Sequence, residues 1–154
     1  RRAGAAATVA AAGLPLNLDA WDGYPAARAR LLGAAQAAGA NLVVLAGDSH
    51  NGWGFDLDDG GRTAGVEFAT PGVTSPGIES YFPVPPAIVA SALRAANPAL
   101  QWVDTSRRGY LAVTLTPERA SGEWRMWDSV RSAEAPQSAT ASRHVMRGQN
   151  RLVE

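Results

Sequence analysis

The sequence predicts an α/β fold that ends in an antiparallel meander of strands. Residues 25–38 have the apolar spacing of an amphipathic helix, and residues 42–46 then form a continuous apolar run of strand length. Further on, three short strand-like segments follow one another with Gly or Pro between them, which is the spacing of a meander. A helix that leads into a buried strand, followed later by strands alone, indicates a mixed α/β domain.

Composition limits the class of protein. The chain has 154 residues, of which 46% are hydrophobic, enough for one domain with a packed core. Its 14 basic and 14 acidic residues balance, so we expect no attraction to nucleic acid or to an anionic membrane. No apolar run is long enough to span a bilayer, which predicts a soluble chain. There is no cysteine, so any metal must be bound through oxygen and imidazole nitrogen.

The first elements are a helix and a buried strand. Residues 1–20 show no sustained hydrophobic period, and we expect them to be irregular or partly helical. Pro25 suits the first turn of a helix and Gly39 suits its end, which predicts a helix over residues 25–38. Residues 42–46 are apolar on both faces, as a central strand of a parallel sheet would be.

Glycine and proline punctuate the middle of the chain. Residues 51–61 contain four glycines and three aspartates, a composition that predicts a loop. Residues 63–70 are typical of a strand, and residues 71–86 form a connection rich in Pro, Gly and Ser. Pro86 then opens a second helix, which we expect to stop near residues 97–98.

The C-terminal part is expected to contain strands only. The strand candidates of the meander are residues 100–105, 108–116 and 123–130. From residue 131 the mixture of Ser, Ala, Pro and Gln indicates a mobile connection, with a last short strand at residues 144–146. We therefore divide the chain into a main portion, residues 1–130, and a C-terminal extension or tail, residues 131–154.

The motif Gly47-Asp48-Ser49-His50 directly follows the predicted buried strand. In open α/β sheets, ligands bind beyond the carboxyl ends of the strands. If the chain stays extended there, Asp48 and His50 point to the same side and can converge on one metal ion. A carboxylate beside an imidazole suits iron, zinc or manganese. The spacing alone leaves a second interpretation open, in which Asp48 caps backbone amides and His50 is a hydrogen-bonded histidine.

Neighbours of this motif offer weaker candidates. Ser49 lies between an aspartate and a histidine, but adjacent residues of an extended segment point to opposite faces, which argues against a serine nucleophile and its base. We therefore predict no catalytic residue that attacks the substrate directly. Asn51 and Trp53 follow the motif closely enough to be candidates for substrate binding.

Five motifs in order resemble those of the PhoD-like alkaline phosphatases, a family of metallophosphoesterases. They are DAWDGYPAAR at residues 19–28, LAGDSH at 45–50, VEFATP at 66–71 with TSPG at 74–77, RGY at 108–110 and EWR at 123–125. Together they cover roughly residues 17 to 130, and the resemblance implies that residues 1–130 are the C-terminal part of a metallophosphatase catalytic domain. Their order makes the resemblance more specific than Gly-Asp-x-His alone.

The resemblance implies a calcineurin-like α/β sandwich that hydrolyses phosphate monoesters or diesters with ferric iron and calcium. By motif, Asp48 is implied as a calcium ligand and His50 as an iron ligand. The remaining ligands of the family, a cysteine, an aspartate, a tyrosine and an asparagine, belong to motifs that this chain does not contain. We therefore expect the chain to supply part of a metal site and to be inactive alone.

Two further expectations follow from the resemblance. The first is a partner: the N-terminal half of the same domain, which would complete the site around a phosphate-ester substrate. The second is a periplasmic or secreted location in bacteria, although no export signal is recognised in the chain. The alternative is a non-catalytic fragment or inactive relative that packs against a partner through a hydrophobic face.

Overall fold

Two β-sheets and two helices make up the regular structure of the computed structural model, which describes residues 17–81 and 83–154. The helices are α1 (Pro25–Ala37) and α2 (Pro86–Ala96), and two 3₁₀ turns cover Trp21–Gly23 and Ile78–Ser80. The strands are β1 (Leu42–Ala46), β2 (Gly52–Asp59), β3 (Arg62–Ala69), β4 (Leu100–Asp104), β5 (Arg108–Leu115), β6 (Arg119–Trp127) and β7 (Ala139–Met146). The expectation for residues 1–16 lies outside the described residues.

The two sheets differ in their topology. Sheet A has the order β1-β3-β2-β4, in which β1 runs parallel to β3 and the other pairs are antiparallel. Sheet B is the antiparallel meander β5-β6-β7. The predicted fold class, an α/β fold with a C-terminal antiparallel meander, is therefore confirmed.

The hydrophobic core lies between the two sheets. Val66 and Phe68 of β3 face Trp124 and Met126 of β6, and all four side chains are almost completely buried. The Phe68 and Trp124 rings are 5.8 Å apart between centroids. Trp124 also donates a hydrogen bond of 2.8 Å from its indole nitrogen to the backbone oxygen of Ala69, so its one polar group is satisfied inside the core.

Both helices occur where the sequence predicts them. α1 begins at Pro25 and ends before Gly39, which has a φ of 61° and stops the helix by adopting the left-handed conformation. The buried residue of α1 is Leu32. Among residues 17–81 and 83–154, no helix is both long and apolar enough to cross a membrane.

The Gly-rich segment predicted as a loop is instead strand β2, so that prediction is wrong. Its glycines leave space for large rings: a Cβ atom added to Gly52 would lie 2.9 Å from the ring of Trp102, and one added to Gly54 would lie 3.3 Å from Trp124. Only Gly60 and Gly61 form the turn, with φ values of 58° and 75° that suit a tight hairpin to β3. Glycine here permits close packing of a strand rather than an irregular loop.

Two of the predicted meander strands are confirmed as β5 and β6, but the third predicted strand, residues 100–105, belongs to the other sheet. Residues 100–104 form β4, which pairs with β2 in sheet A. Its Trp102 packs on Trp124 of β6 in the core, at 4.2 Å between ring centroids. The third strand of the meander is β7, which begins at Ala139 rather than at residue 144. β6 begins at Arg119, four residues before the predicted start at residue 123.

Strand β1 is not a central strand in the described part of the chain. It pairs with β3 alone and forms one edge of sheet A. Leu45 is 60% exposed, so the apolar run is only partly covered. The prediction of a buried central strand is therefore wrong for the residues that the structure describes.

Candidate functional site

Parallel pairing of β1 and β3 brings two loops to the same edge of sheet A. The loop of residues 47–51 follows β1, and the loop of residues 70–77 follows β3. The two are joined by backbone hydrogen bonds, from Thr70 to the oxygen of Ala46 at 2.9 Å and from Gly72 to the oxygen of His50 at 3.0 Å. The candidate ligands Asp48 and His50 thus lie at the carboxyl end of a strand, where α/β sheets bind ligands.

The chain bends sharply at both candidate ligands. Asp48 has a φ of 65° and His50 a φ of 61°, and they are the only residues other than glycine with positive φ in the described part of the chain. A hydrogen bond of 2.7 Å from the Ser49 amide to the oxygen of Gly47 closes a γ-turn around Asp48, of the rare and strained type with positive φ. The expectation of an extended segment is therefore wrong.

The topology explains this bend. β1 and β2 lie on opposite sides of β3 and run in opposite directions, so residues 47–51 must cross the end of β3 and reverse the chain. Gly47 is not in the left-handed region, and the strained conformations fall on Asp48 and His50 instead. Each costs on the order of 1–3 kcal/mol, and such residues concentrate at functional sites.

The His50 imidazole is held from its Nδ1 side. Nδ1 lies 2.8 Å from the backbone oxygen of Pro76. A carbonyl oxygen can only accept, so Nδ1 carries a proton in this contact, and in the neutral ring the lone pair is then on Nε2. Metal-bound histidines have this arrangement, with one ring nitrogen donating to a carbonyl or carboxylate and the other binding the ion. The side chain of His50 is half-buried, and Asp48 is exposed.

The three neighbouring side chains hold the loops together. Ser49 accepts a hydrogen bond of 2.7 Å at its hydroxyl oxygen from the indole nitrogen of Trp53, which packs its ring against Phe55. Asn51 is completely buried and accepts a hydrogen bond of 2.8 Å from the amide of Ile78. These contacts give Ser49 and Asn51 structural partners. Substrate binding by Asn51 or Trp53 stays a prediction.

An ion pair that the sequence alone does not identify lies behind the second loop. Glu79 accepts hydrogen bonds from the Arg108 guanidinium and, at 3.1 Å, from the amide of Gly77. Both side chains are largely buried. Burial by itself would raise the pKa of Glu79, but the hydrogen bonds from Arg108 and Gly77 outweigh it and lower that pKa. Pro76 and Arg108 lie inside the TSPG and RGY motifs, whereas no motif points to Glu79.

The donors present fit part of a metal site and no more. The Asp48 carboxylate and the Nε2 atom of His50 are the two kinds of ligand that iron and calcium sites in proteins use. Across residues 17–81 and 83–154, no three side chains of His, Asp or Glu cluster closely enough to hold an ion. A metal at this edge of the sheet would need further ligands.

A second feature of sheet A is a carboxyl group, that of Glu67, on the face of the sheet that α1 covers. A cavity of about 410 Å³ separates α1 from the sheet and is lined by Trp21, Arg28, Leu32, Phe55 and Glu67, among others. Burial raises the pKa of Glu67, and the charge of Arg28 partly offsets the increase. Neither Asp48 nor His50 lines this cavity, so it is separate from the candidate metal site.

Known proteins are similar to this chain in sequence and in fold. The family model described as PhoD-like phosphatase matches residues 3–124. Alkaline phosphatase D of Bacillus subtilis (strain 168) is 31% identical over 132 residues, covering 82% of this chain and 22% of the relative. The solved structure of PhoD has a TM-score of 0.69 and 26% identity, covering 88% of this chain and 26% of that one.

These matches identify the family but not the whole protein. The chain spans about a quarter of the length of the relatives that it matches. The family model covers most of the described residues, and the structural match extends the agreement to the sandwich fold. On this agreement of sequence and fold, the chain belongs to the PhoD-like phosphatase family.

Proposed function

We propose that this chain supplies two ligands, Asp48 and His50, to a metal centre that hydrolyses phosphate monoesters or diesters. The observation that carries the proposal is the His50 imidazole, whose Nδ1 lies 2.8 Å from the oxygen of Pro76 and whose Nε2 has no hydrogen-bond partner among the described residues. The left-handed conformations of both residues add support, because strained backbone is retained where function requires it. The family relation supports phosphate-ester hydrolysis in general.

The residues of the chain have distinct roles in this proposal. His50 binds an iron ion through Nε2, and Asp48 binds calcium through its exposed carboxylate, as the family resemblance implies. When bound, such ions polarise the phosphoryl oxygens and make water nucleophilic at neutral pH. The chain itself holds the imidazole in one orientation and places both donors at the end of β1. No protein nucleophile is needed. The hydroxyl oxygen of Ser49 instead accepts a hydrogen bond from the indole nitrogen of Trp53.

The site requires a partner. Two donors do not hold a metal ion firmly, so we propose that the N-terminal half of the same domain supplies the remaining ligands, within one polypeptide or as another chain. We further propose that the complete protein acts outside the cytoplasm, in the periplasm or after secretion, by its relation to the family.

The two ligands are tested by substitution in the complete protein. Asp48→Asn and His50→Ala should each remove bound metal and lower turnover of p-nitrophenyl phosphate by at least about 100-fold, because each removes a direct ligand rather than a residue behind one. Metal content is measured by mass spectrometry alongside kcat. Matched controls are Asp58→Asn, an exposed carboxylate on β2, and His144→Ala on β7, which should change neither quantity. Full retention of metal and turnover by either ligand variant would sink the assignment.

A second candidate function is a packing module without catalysis. Exposed apolar side chains flank the candidate site, among them Leu45 at 60%, Val73 at 68% and Tyr81 at 73% exposure. Such a surface favours contact with another part of the protein or another chain. The two functions differ in their metal: a packing module binds none tightly, with or without its N-terminal partner. Metal analysis of the complete protein distinguishes them.

A further inference from the structure

We propose that the Glu79–Arg108 ion pair positions the His50 imidazole by holding in place the loop whose carbonyl binds Nδ1. This rests on the proposed role of His50 as a metal ligand. Glu79 and Arg108 are positioning residues in this proposal, because neither contacts the imidazole.

The contacts form a continuous path from sheet B to His50. Arg108 is the first residue of β5 and donates to the carboxylate of Glu79 in the 3₁₀ turn. The same carboxylate oxygen accepts the amide of Gly77 at 3.1 Å. Gly77 follows Pro76 directly, and the Pro76 oxygen lies 2.8 Å from Nδ1 of His50. One oxygen of the Glu79 carboxylate therefore links Arg108 of sheet B to Gly77. Gly77 is next to Pro76, whose oxygen accepts from the imidazole.

Arg108 is held through two nitrogens and Glu79 through one oxygen, Oε1, while the buried Oε2 of Glu79 has no hydrogen-bond partner among the described residues. Arg108 also donates from Nη1 to the oxygen of Ser106 at 2.9 Å, and its side chain is 14% exposed. Glu79 is 23% exposed. Charge-assisted hydrogen bonds in such a partly buried setting are stronger and more directional than those between neutral groups. The pair can therefore hold the 3₁₀ turn at one distance from sheet B.

A second connection stops the loop from rotating. Gly109, next to Arg108, donates its amide to the oxygen of Gly72 at 3.1 Å, and Gly72 donates to the oxygen of His50 at 3.0 Å. The start of β5 thus reaches His50 by two routes, one to its backbone and one to its ring. The backbone route does not depend on Glu79, so loss of the ion pair should release the ring before it releases the chain.

The consequence for the imidazole concerns its tautomer and its direction. With the Pro76 oxygen in place, the proton stays on Nδ1 and the Nε2 lone pair points to one position. If the loop relaxes, the proton can move to Nε2, which then cannot bind a metal. Loss of such a supporting contact typically lowers metal affinity or activity by about 10–100-fold.

The experiment uses Glu79→Ala and the more conservative Glu79→Gln in the complete protein. The tautomer of His50 is read in metal-stripped protein from ¹⁵N chemical shifts of labelled histidine, assigned with His50→Gln. Glu79→Ala should convert a single Nδ1–H form into a mixture, lower iron affinity by about 10–100-fold and lower kcat with little change in KM. Glu79→Gln keeps an acceptor for Gly77 and should give a smaller loss. The control is Arg107→Gln, which breaks the neighbouring ion pairs with Asp104 and Asp128.

The outcomes separate this inference from the proposed function. A wild-type tautomer and wild-type iron affinity in Glu79→Ala overturn the positioning role, even if activity falls. If Glu79→Ala does not fold, the same result in Glu79→Gln overturns it. Equal losses in Arg107→Gln also overturn it, because they would show a general effect on stability. If His50→Ala keeps metal and turnover, the proposed function fails, whereas the tautomer still tests the positioning.

Discussion

Gly77→Ala should damage both the stability and the candidate site of this protein. The backbone of Gly77 has a φ of −103°, which alanine tolerates, so the effect comes from the added methyl group alone. That Cβ would lie 2.5 Å from Nδ2, 2.6 Å from Oδ1 and 2.8 Å from Cγ of Asn51. Asn51 is completely buried and bound to Ile78, so it cannot rotate away and the loop must move instead.

The magnitude follows from two terms. Overpacking of a tight interior contact costs roughly 1–3 kcal/mol of stability. Movement of the loop also shifts the Pro76 oxygen away from Nδ1 of His50, which should lower metal affinity and kcat by about 10–100-fold. Because the hydrogen bond at 2.8 Å tolerates only a few tenths of an ångström, a small displacement is sufficient.

The assay compares two alanine substitutions. Chemical unfolding gives the change in stability, and p-nitrophenyl phosphate turnover with metal analysis gives the change at the site. The control is Gly33→Ala in α1, where the added Cβ meets nothing within 4 Å among the described residues. It should raise stability by roughly 0.5–1 kcal/mol, as alanine favours a helix interior. Equal stability and turnover for Gly77→Ala and wild type would refute the packing argument.

Two further substitutions probe the interior. Glu67→Gln should raise stability at neutral pH. Burial raises the pKa of Glu67 in the folded protein above its usual value of 4.5, so stability that is present below pH 4.5 is lost as the pH rises through the folded-state pKa. Glutamine carries no charge and avoids that loss. Thermal unfolding across pH checks this, and a gain that persists below pH 4.5 contradicts it. Trp124→Phe should lower stability by about 2–4 kcal/mol, since it removes the donor to the Ala69 oxygen and leaves a cavity. A loss under about 0.5 kcal/mol in chemical unfolding contradicts this.

Local patterns in the sequence were sufficient for the helices and several strands. α1 and α2 both begin at prolines and end near Gly39 and Asn97, which are strong local signals. Strand β2 could not be predicted in the same way. Its glycines leave room for the rings of Trp102 and Trp124, and both tryptophans lie far along the chain. β4 likewise pairs with β2 across more than 40 residues of the chain, and its Trp102 packs on Trp124 of the other sheet. Tertiary packing decided both elements.

The candidate site shows the same division between local and distant information. Motif and strand position indicated Asp48 and His50, but an extended segment was expected and the loop is bent. The bend arises because the chain crosses the end of β3. This crossing depends on the strand order of the sheet, which no local sequence pattern predicts. The contact from His50 to Pro76 joins residues 26 positions apart, and Glu79 meets Arg108 over 29 positions. Such contacts have no local pattern from which they could be predicted.

The left-handed conformations of Asp48 and His50 have a consequence for engineering. Glycine adopts positive φ without a steric penalty, so glycine at either position would relieve strain and favour the folded state. The proposed metal site would lose a ligand in the same step. Selection of variants of this protein for heat resistance alone, without a screen for activity, should therefore replace the proposed metal ligands Asp48 and His50. At these two positions, the substitution that raises the melting temperature is expected to lower turnover.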